Sequence, residues 1–308
     1  MAGTNVNCQE FTEQEQFSNN PSDAVMFNPC ACFVPGNVIP NFIPGLKVQV
    51  FHGLEWKKKG HFAIRDCFDL YCTHGKATTA RFEKLAIKHR YFDVVETGWP
   101  KLDGLFKSSS YQWPSRTNDP VILYAPTFSP ALTSAPELYE EIIRLSSLHS
   151  WQWLIKFHPK MDPVWMEKYQ GLSVPNIKVV TDSDVSNLLQ AADIMVSDTS
   201  SIIGEFALLG KPAVTLNNAE PGDYLINIEQ PLDLEAAIVS ALQPSAQLKK
   251  QVKNYAQDLH PYHDGLSAER VLAATEDRLA AGQRGLKKKP VNLFRNLKMR
   301  YQLGFWRP

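Results

Sequence analysis

From Asp119 onward the chain alternates short apolar runs with amphipathic stretches, and few folds accommodate that rhythm. PVILYAP (120–126) reads as a buried strand, APELYEEIIRLSSLH (135–149) as an amphipathic helix and WQWLIKFHP (151–159) as the next strand. A short helix near Val164 to Tyr169 follows, then a strand over IKVVT (177–181), a helix from Asp184 to Ala191, a strand over DIMVSD (193–198), another helix, and a strand over PAVTLN (212–217). Apolar strands separated by helices predict a parallel sheet covered on both faces, so residues 119–285 read as one Rossmann-like domain. The first 118 residues are less regular. AVMFNP, LKVQVFHG, FDLYCTHG and VVETGWP are strand-like runs ending in Gly or Pro, with a helix expected over KATTARFEKLAIKH (76–89). They predict a second, shorter α/β domain, joined to the first through the polar segment SSSYQWPSRTNDP (108–120). With 308 residues, 44% of them apolar, two such cores are affordable.

Charge is balanced in total, 32 basic against 32 acidic residues, but not along the chain. Residues 286–308 carry Lys287, Lys288, Lys289, Arg295, Lys298, Arg300 and Arg307 with no acid, which predicts a basic tail facing an anionic partner and argues against a nucleic-acid-binding body. After Pro290, which suits a first helical turn, Phe294, Leu297, Tyr301 and Phe305 recur at helical spacing. That tail predicts either a helix packed by its aromatic face on the N-terminal domain or one lying on an anionic membrane surface, the two being compatible if only Lys287 to Lys289 and Trp306 are exposed. No run is long enough to cross a bilayer, and the polar start MAGTNVNCQEFTEQEQ lacks signal-peptide regions. The expectation is a cytoplasmic protein, peripheral on the inner face of the plasma membrane if the tail binds lipid. Five cysteines without a CxxC pair favour neither a disulfide framework nor a zinc ribbon, and Cys30-Ala31-Cys32 reads as a small apolar pair. No Asp/His cluster has metal-ligand spacing, and no cofactor is called for.

In parallel α/β sheets ligands collect at the carboxyl ends of strands. There the sequence places His52 and Gly53, Thr127, His158 and Pro159, and the turn Asp198, Thr199, Ser200 and Ser201. The hydroxyls and the unpaired amides of a starting helix suit a phosphate, and Glu205, just over one turn beyond Ser201, suits a ribose. Simple N-capping by Asp198 or Ser200 explains the same turn without a ligand. An imidazole such as His52 can take a proton from an alcohol, and Lys57 and Lys58 can hold an anionic acceptor. A solvated lysine face and structural histidines are the plainer alternatives.

FHGLEWKK (51–58), ETGWPKLD (96–103), ILYAPTF (122–128), IKFHPK (155–160), VSDTSSIIGEFALLGKP (196–212) and YHDGLSAER (262–270) occur in an order and spacing that resembles the CDP-glycerol glycerophosphotransferases of teichoic-acid synthesis, from about residue 45 to 275. The resemblance implies a GT-B-like architecture, two Rossmann-like domains facing a central cleft, with the nucleotide donor held mainly by the second. It implies transfer of glycerol phosphate from CDP-glycerol to a hydroxyl of a lipid-linked or polymeric glycan acceptor, with release of CMP. By motif match His52 is the base, His158 lies beside the donor phosphates, the Ser/Thr turn binds the pyrophosphate and Arg270 adds a positive charge. The chain departs from the family pattern at Phe51, where the family has tryptophan, at Lys101, where it has arginine, and at Glu205, where aspartate is frequent.

Two other readings compete. Capsule-type glycosyltransferases and UDP-N-acetylglucosamine 2-epimerases use a similar turn on a similar fold but lack the combination of FHG, GWPKLD and YAPTF. A nonenzymatic assembly protein would keep the fold and bind nucleotide poorly.

Overall fold

The computed structural model describes residues 18, 20–54, 59–181, 185–283 and 285–306. The first half contains α1 (Pro21–Phe27), β1 (Ala31–Val34), β2 (Leu46–Gln49), β3 (Leu70–Thr73), α2 (Lys76–His89), β4 (Asp93–Glu96) and α3 (Lys101–Lys107). Its four strands lie side by side in chain order, all parallel. The helix expected over 76–89 has those bounds.

AVMFNP, expected as a strand, is instead the body of α1. The Asn20 side chain accepts the Ser22 N–H at 3.0 Å, and Pro21 stands at the first helical position, where a missing N–H leaves no bond unmade. Met26 and Phe27 are exposed, so burial gives Val25, Met26 and Phe27 no reason to pair as a strand. The apolar Cys30-Ala31-Cys32 run contributes to the edge strand β1, which the sequence did not declare.

The second half contains β5 (Val121–Tyr124), α4 (Ala135–Leu148), β6 (Gln152–Ile155), α5 (Pro163–Gln170), β7 (Ile177–Val179), α6 (Ser186–Ala191), β8 (Ile194–Ser197), α7 (Ile202–Ala207), β9 (Ala213–Leu216), β10 (Leu225–Ile228), α8 (Leu234–Leu242) and α9 (Ala246–Leu259). The strands run parallel in the order β7-β6-β5-β8-β9-β10, the doubly wound arrangement. Every residue of β5, β6, β8 and β9 is buried, as a sheet covered on both faces requires. Alternate side chains feed opposite cores: Leu123, Leu154 and Met195 meet Leu188 and Phe206, while Ile122, Tyr124 and Ile155 meet Leu138, Ile142 and Leu145. Each fully buried aliphatic side chain contributes about 1.5–3 kcal/mol. The connecting segment is itself docked, with Trp113 buried and the Tyr111 N–H donating to the Asn187 carbonyl at 2.9 Å.

After α9 the chain returns to the first sheet. Helix α10 (Ser267–Ala281) sets Val271 and Ala274 against Val48, Leu70 and Cys72, while Phe82 of α2 packs with Phe51 and Tyr71 in the other core. One helix thus covers each face, and part of the span expected to belong to the second domain completes the first. Helix α11 (Leu293–Gln302) starts three residues after Pro290 and buries none of its side chains. Phe305, expected on its face, lies beyond its end, buried and stacked on Phe42 at 4.2 Å between ring centres. Lys289, expected to be exposed, pairs with Asp69 at 2.7 Å. Among the described residues no helix is long and apolar enough to cross a membrane.

Candidate functional site

Strand order reverses between β5 and β8, and the crevice beyond their carboxyl ends is where such sheets bind ligands. The loop after β5 and the turn after β8 meet there. Asp198 is 1% exposed and accepts the Thr127 N–H at 2.9 and 3.2 Å, the Ser134 N–H at 2.8 Å and the Ser134 hydroxyl at 2.9 Å. Burial raises its carboxyl above the usual range, against these hydrogen bonds, which pull the other way. Asp198 thus ties the loop after β5 to the end of β8, its carboxylate occupied by donors from the protein itself. The Thr199 hydroxyl accepts the Ala219 N–H at 2.9 Å and fixes the turn to the loop after β9. Ser200 is partly buried and Ser201 exposed. No side chain caps α7, so the capping role considered for Asp198 or Ser200 is not the one they play.

His158 follows β6 with its ring stacked on Phe128 at 4.4 Å, and Pro159 beside it is exposed. Its Nδ1 accepts the Lys160 N–H at 3.1 Å, so the proton of the neutral ring resides on Nε2. Partial burial, with Lys160 and Lys156 nearby, holds the imidazole below its ordinary pKa and hence neutral.

Across the cleft, Phe51 lies two residues beyond β2; its backbone is left-handed (φ 60°) and its ring is buried between His61 at 4.6 Å and Phe82 at 5.3 Å. A bulky residue in that conformation is held by its surroundings. Here the aromatic core grips the ring, and the Trp99 indole N–H reaches the Phe51 carbonyl at 3.3 Å. The bend turns His52 into solvent, with Gly53 half-buried behind it. His52 Nδ1 lies 3.0 Å from the Pro35 carbonyl, which can only accept, so Nδ1 donates to it and, in the neutral tautomer, the lone pair sits on Nε2. Leu54, 8% exposed, joins Ile203 in one core, and its Cδ1 lies 3.8 Å from where a Cβ would stand on Gly204. The His52 loop thus meets the helix of the Ser/Thr turn. A second link is the ion pair from Lys101 to Glu205 Oε1 at 2.6 Å. Lys57 and Lys58 lie outside the described residues.

Arg270 is not part of that meeting. Its guanidinium pairs with Asp264 and lies 3.9 Å over the Tyr262 ring, whose hydroxyl reaches Glu96 at the end of β4. Its neighbours show what the GWPKLD and YHDGLSAER motifs do, which sequence reasoning missed. Asp103 accepts the Ser267 and Ala268 N–H groups, both at 2.8 Å, and so caps α10 from 164 residues away in the chain. His260 accepts the Trp99 N–H on Nε2 at 2.9 Å and donates from Nδ1 to the Tyr262 carbonyl at 2.8 Å; burial pushes its imidazole down to about 4. Gly98, at φ 82°, lies so close that a Cβ there would stand 2.5 Å from Ser267 Oγ and 2.8 Å from His260 Nε2. His74, after β3, is fully buried between Phe51 at 5.1 Å and Trp99 at 5.4 Å, and burial holds it neutral. The available signal was the strand-end position of His74 and Gly98; His260 and Asp103 carry no local one.

The profile of the CDP-Glycerol:Poly(glycerophosphate) glycerophosphotransferase family matches residues 57–276. A teichoic acid glycerol-phosphate primase of Bacillus subtilis (strain 168) is 27% identical over 190 residues, 54% of this chain and 48% of the primase. The match thus spans about half the length of that relative. Among solved structures, the wall teichoic acid polymerase TagF superposes with a TM-score of 0.55 at 15% identity, covering 79% of this chain and 72% of that one. A putative UDP-N-acetylglucosamine 2-epimerase from Listeria monocytogenes does so at 0.60 and 17% identity, covering 86% and 79%. Such distant likenesses establish a shared GT-B-like fold and leave the chemistry to the site.

Proposed function

Because this chain belongs to the CDP-Glycerol:Poly(glycerophosphate) glycerophosphotransferase family, we propose that it transfers glycerol phosphate, or a related polyol phosphate, from a CDP-activated donor to a hydroxyl of a lipid-linked or cell-surface glycan acceptor, releasing CMP. The observation that supports this reading is that Leu54, two residues after His52, shares a core with Ile203 and lies close to Gly204, both on the helix that follows the Ser/Thr turn. The two histidines present complementary nitrogens. His52 offers an unprotonated Nε2 to the acceptor hydroxyl, and His158 offers an Nε2–H to the donor phosphates. In a direct displacement the acceptor oxygen bonds to phosphorus and its proton passes to His52. The phosphorus–oxygen bond to the cytidylyl group breaks, and CMP leaves with the electron pair. Ser200, Ser201 and the His158 N–H meet the charge on the phosphates. Lys101 engages Glu205 through Oε1, which leaves Oε2 for a ribose hydroxyl.

A lipid-linked acceptor agrees with the tail, where Phe294, Leu297, Tyr301 and Trp306 stand exposed on an acid-free basic segment suited to an anionic membrane. Sedimentation with anionic vesicles that survives Phe294→Ser/Tyr301→Ser would remove this part of the reading. The central test is CMP release from CDP-glycerol, compared with binding of UDP-sugars. His52→Gln should lower turnover by about two to four orders of magnitude with nucleotide binding retained. Unchanged release by a folded His52→Gln protein would refute the assignment.

A further inference from the structure

The tail segment after Gly285 runs along the amino edge of the first sheet, the end away from the cleft. The Lys287 N–H donates to the Arg90 carbonyl at 2.7 Å, Lys289 pairs with Asp69 just before β3, and the Asn292 amide donates to Asp66 at 2.8 Å. Between this strap and the sheet lies a cavity of about 200 Å³ lined by Lys47, Arg65, Asp66, Lys289, Asn292 and Arg295. We propose that this cavity is a second anion site that takes a phosphate group, separate from the cleft and independent of the catalytic reading.

Three observations carry it. First, the cations outnumber the carboxylates, and the carboxylates are already engaged. Asp66 accepts the Tyr91 hydroxyl and the Asn292 amide, and Asp69 accepts the Lys47 N–H at 2.9 Å besides pairing with Lys289. Lys47, only 7% exposed, has its ammonium held below the ordinary lysine range by burial and by the charge of Lys289, so like charges are crowded out of water. Second, Arg65 Nε is buried and has no hydrogen-bond partner, a donor that a guanidinium rarely leaves unused. Third, the volume is too small for a nucleotide and ample for one phosphate with a short polyol. Lys47 stands near the start of β2 and His52 beyond its end, so about 13 Å of strand separates this cavity from the cleft. The exposed aromatic face of α11 beside it makes a phospholipid headgroup one source of that phosphate, and free phosphate the other.

The full chain is titrated with inorganic phosphate against chloride of equal ionic strength, by calorimetry. Binding should weaken at least about tenfold in Arg65→Gln, the loss of a charged hydrogen bond, and stay unchanged in Lys250→Gln, an exposed charge on α9 outside both sites. Asn296→Asp, which adds a carboxylate to the cavity wall and removes no cation, should do the same and covers the case in which Arg65→Gln fails to fold. Vesicles carrying phosphatidic acid, with plain phosphatidylcholine as control, identify the source. Sedimentation competed by inorganic phosphate points to the headgroup, and phosphate binding without such competition points to free phosphate; both support the site. No phosphate binding by the wild type, or binding kept in Arg65→Gln and Asn296→Asp, overturns it.

Discussion

Removing the Asp198 carboxylate tests how the crevice is built. In Asp198→Ala the Thr127 and Ser134 N–H groups and the Ser134 hydroxyl lose their acceptor. The hydroxyl can turn to Tyr124 Oη at 3.0 Å, but the two amides have no such recourse. Two unsatisfied buried donors cost about 2–6 kcal/mol, a large part of a typical stability of about 5–15 kcal/mol. Asp198→Asn keeps one oxygen, which can accept from both amides, and removes a buried charge. It should cost less than about 2 kcal/mol. The pH dependence follows from the raised carboxyl pKa. The proton-linked stabilisation from this group is fully present below the unfolded-state pKa and is lost as pH rises through the folded one, so at neutral pH the charge contributes none of it. Urea unfolding at pH 7 gives the difference directly, provided the slope with denaturant is unchanged. An Ala variant within about 0.5 kcal/mol of wild type, inside ordinary surface-substitution scatter, or an Asn variant weaker than Ala, would refute the reasoning.

His260 links the halves as a neutral imidazole pushed down to about 4, so the unfolded chain binds the proton first and stability should fall as pH drops from about 6.5 toward 4, by about 3 kcal/mol in all. His260→Gln should flatten much of that limb in a series of urea titrations, leaving the share of His74, which burial holds neutral in the same sense. Gly98→Ala must place a Cβ against Ser267 and His260 at positive φ, and should lower stability by at least about 2 kcal/mol in the same assay. His158→Gln keeps a donor but not the ring on Phe128, so turnover should fall about a hundredfold or more, as on loss of one well-placed donor to developing charge, while thermal stability stays near wild type.

The second sheet was legible because each of its strands is buried on both faces, and that leaves an apolar run flanked by helical periodicity. The first sheet was only partly so. In α1 a cap and a proline decide the structure over three β-prone residues, and β1 is an edge strand with little to bury. His52, Thr127, His158 and the Ser/Thr turn do follow the carboxyl ends of strands, as expected, since that reading depends only on where strands stop. It could not say which strand-end side chains turn toward a ligand and which turn inward. Asp198 turns inward because two amides from the loop after β5 converge on it, and that loop is distant in sequence. Arg270 belongs with α10, whose return to the first sheet rests on Val271 and Ala274 and on a cap from Asp103, none of which announces its partner locally.

The residues around the crevice and the link between the two halves therefore divide by physical role. Gly98, Asp103, Asp198 and His260 make buried contacts between distant segments, and replacing any of them leaves unpaired amides or overlapping atoms. Their loss should appear first as lost stability, with activity falling because the cleft is no longer held. His52 and His158 are exposed; one backbone hydrogen bond, to the Pro35 carbonyl, holds the first, and the Lys160 N–H with the stack on Phe128 holds the second. Replacing them should leave stability close to wild type and act on turnover. Phe51 belongs to both groups. Its ring anchors the first core, and its left-handed backbone turns the next residue out into solvent, so a change that keeps an aromatic ring, such as Phe51→Trp, must satisfy the same packing before it can present His52 in the same way.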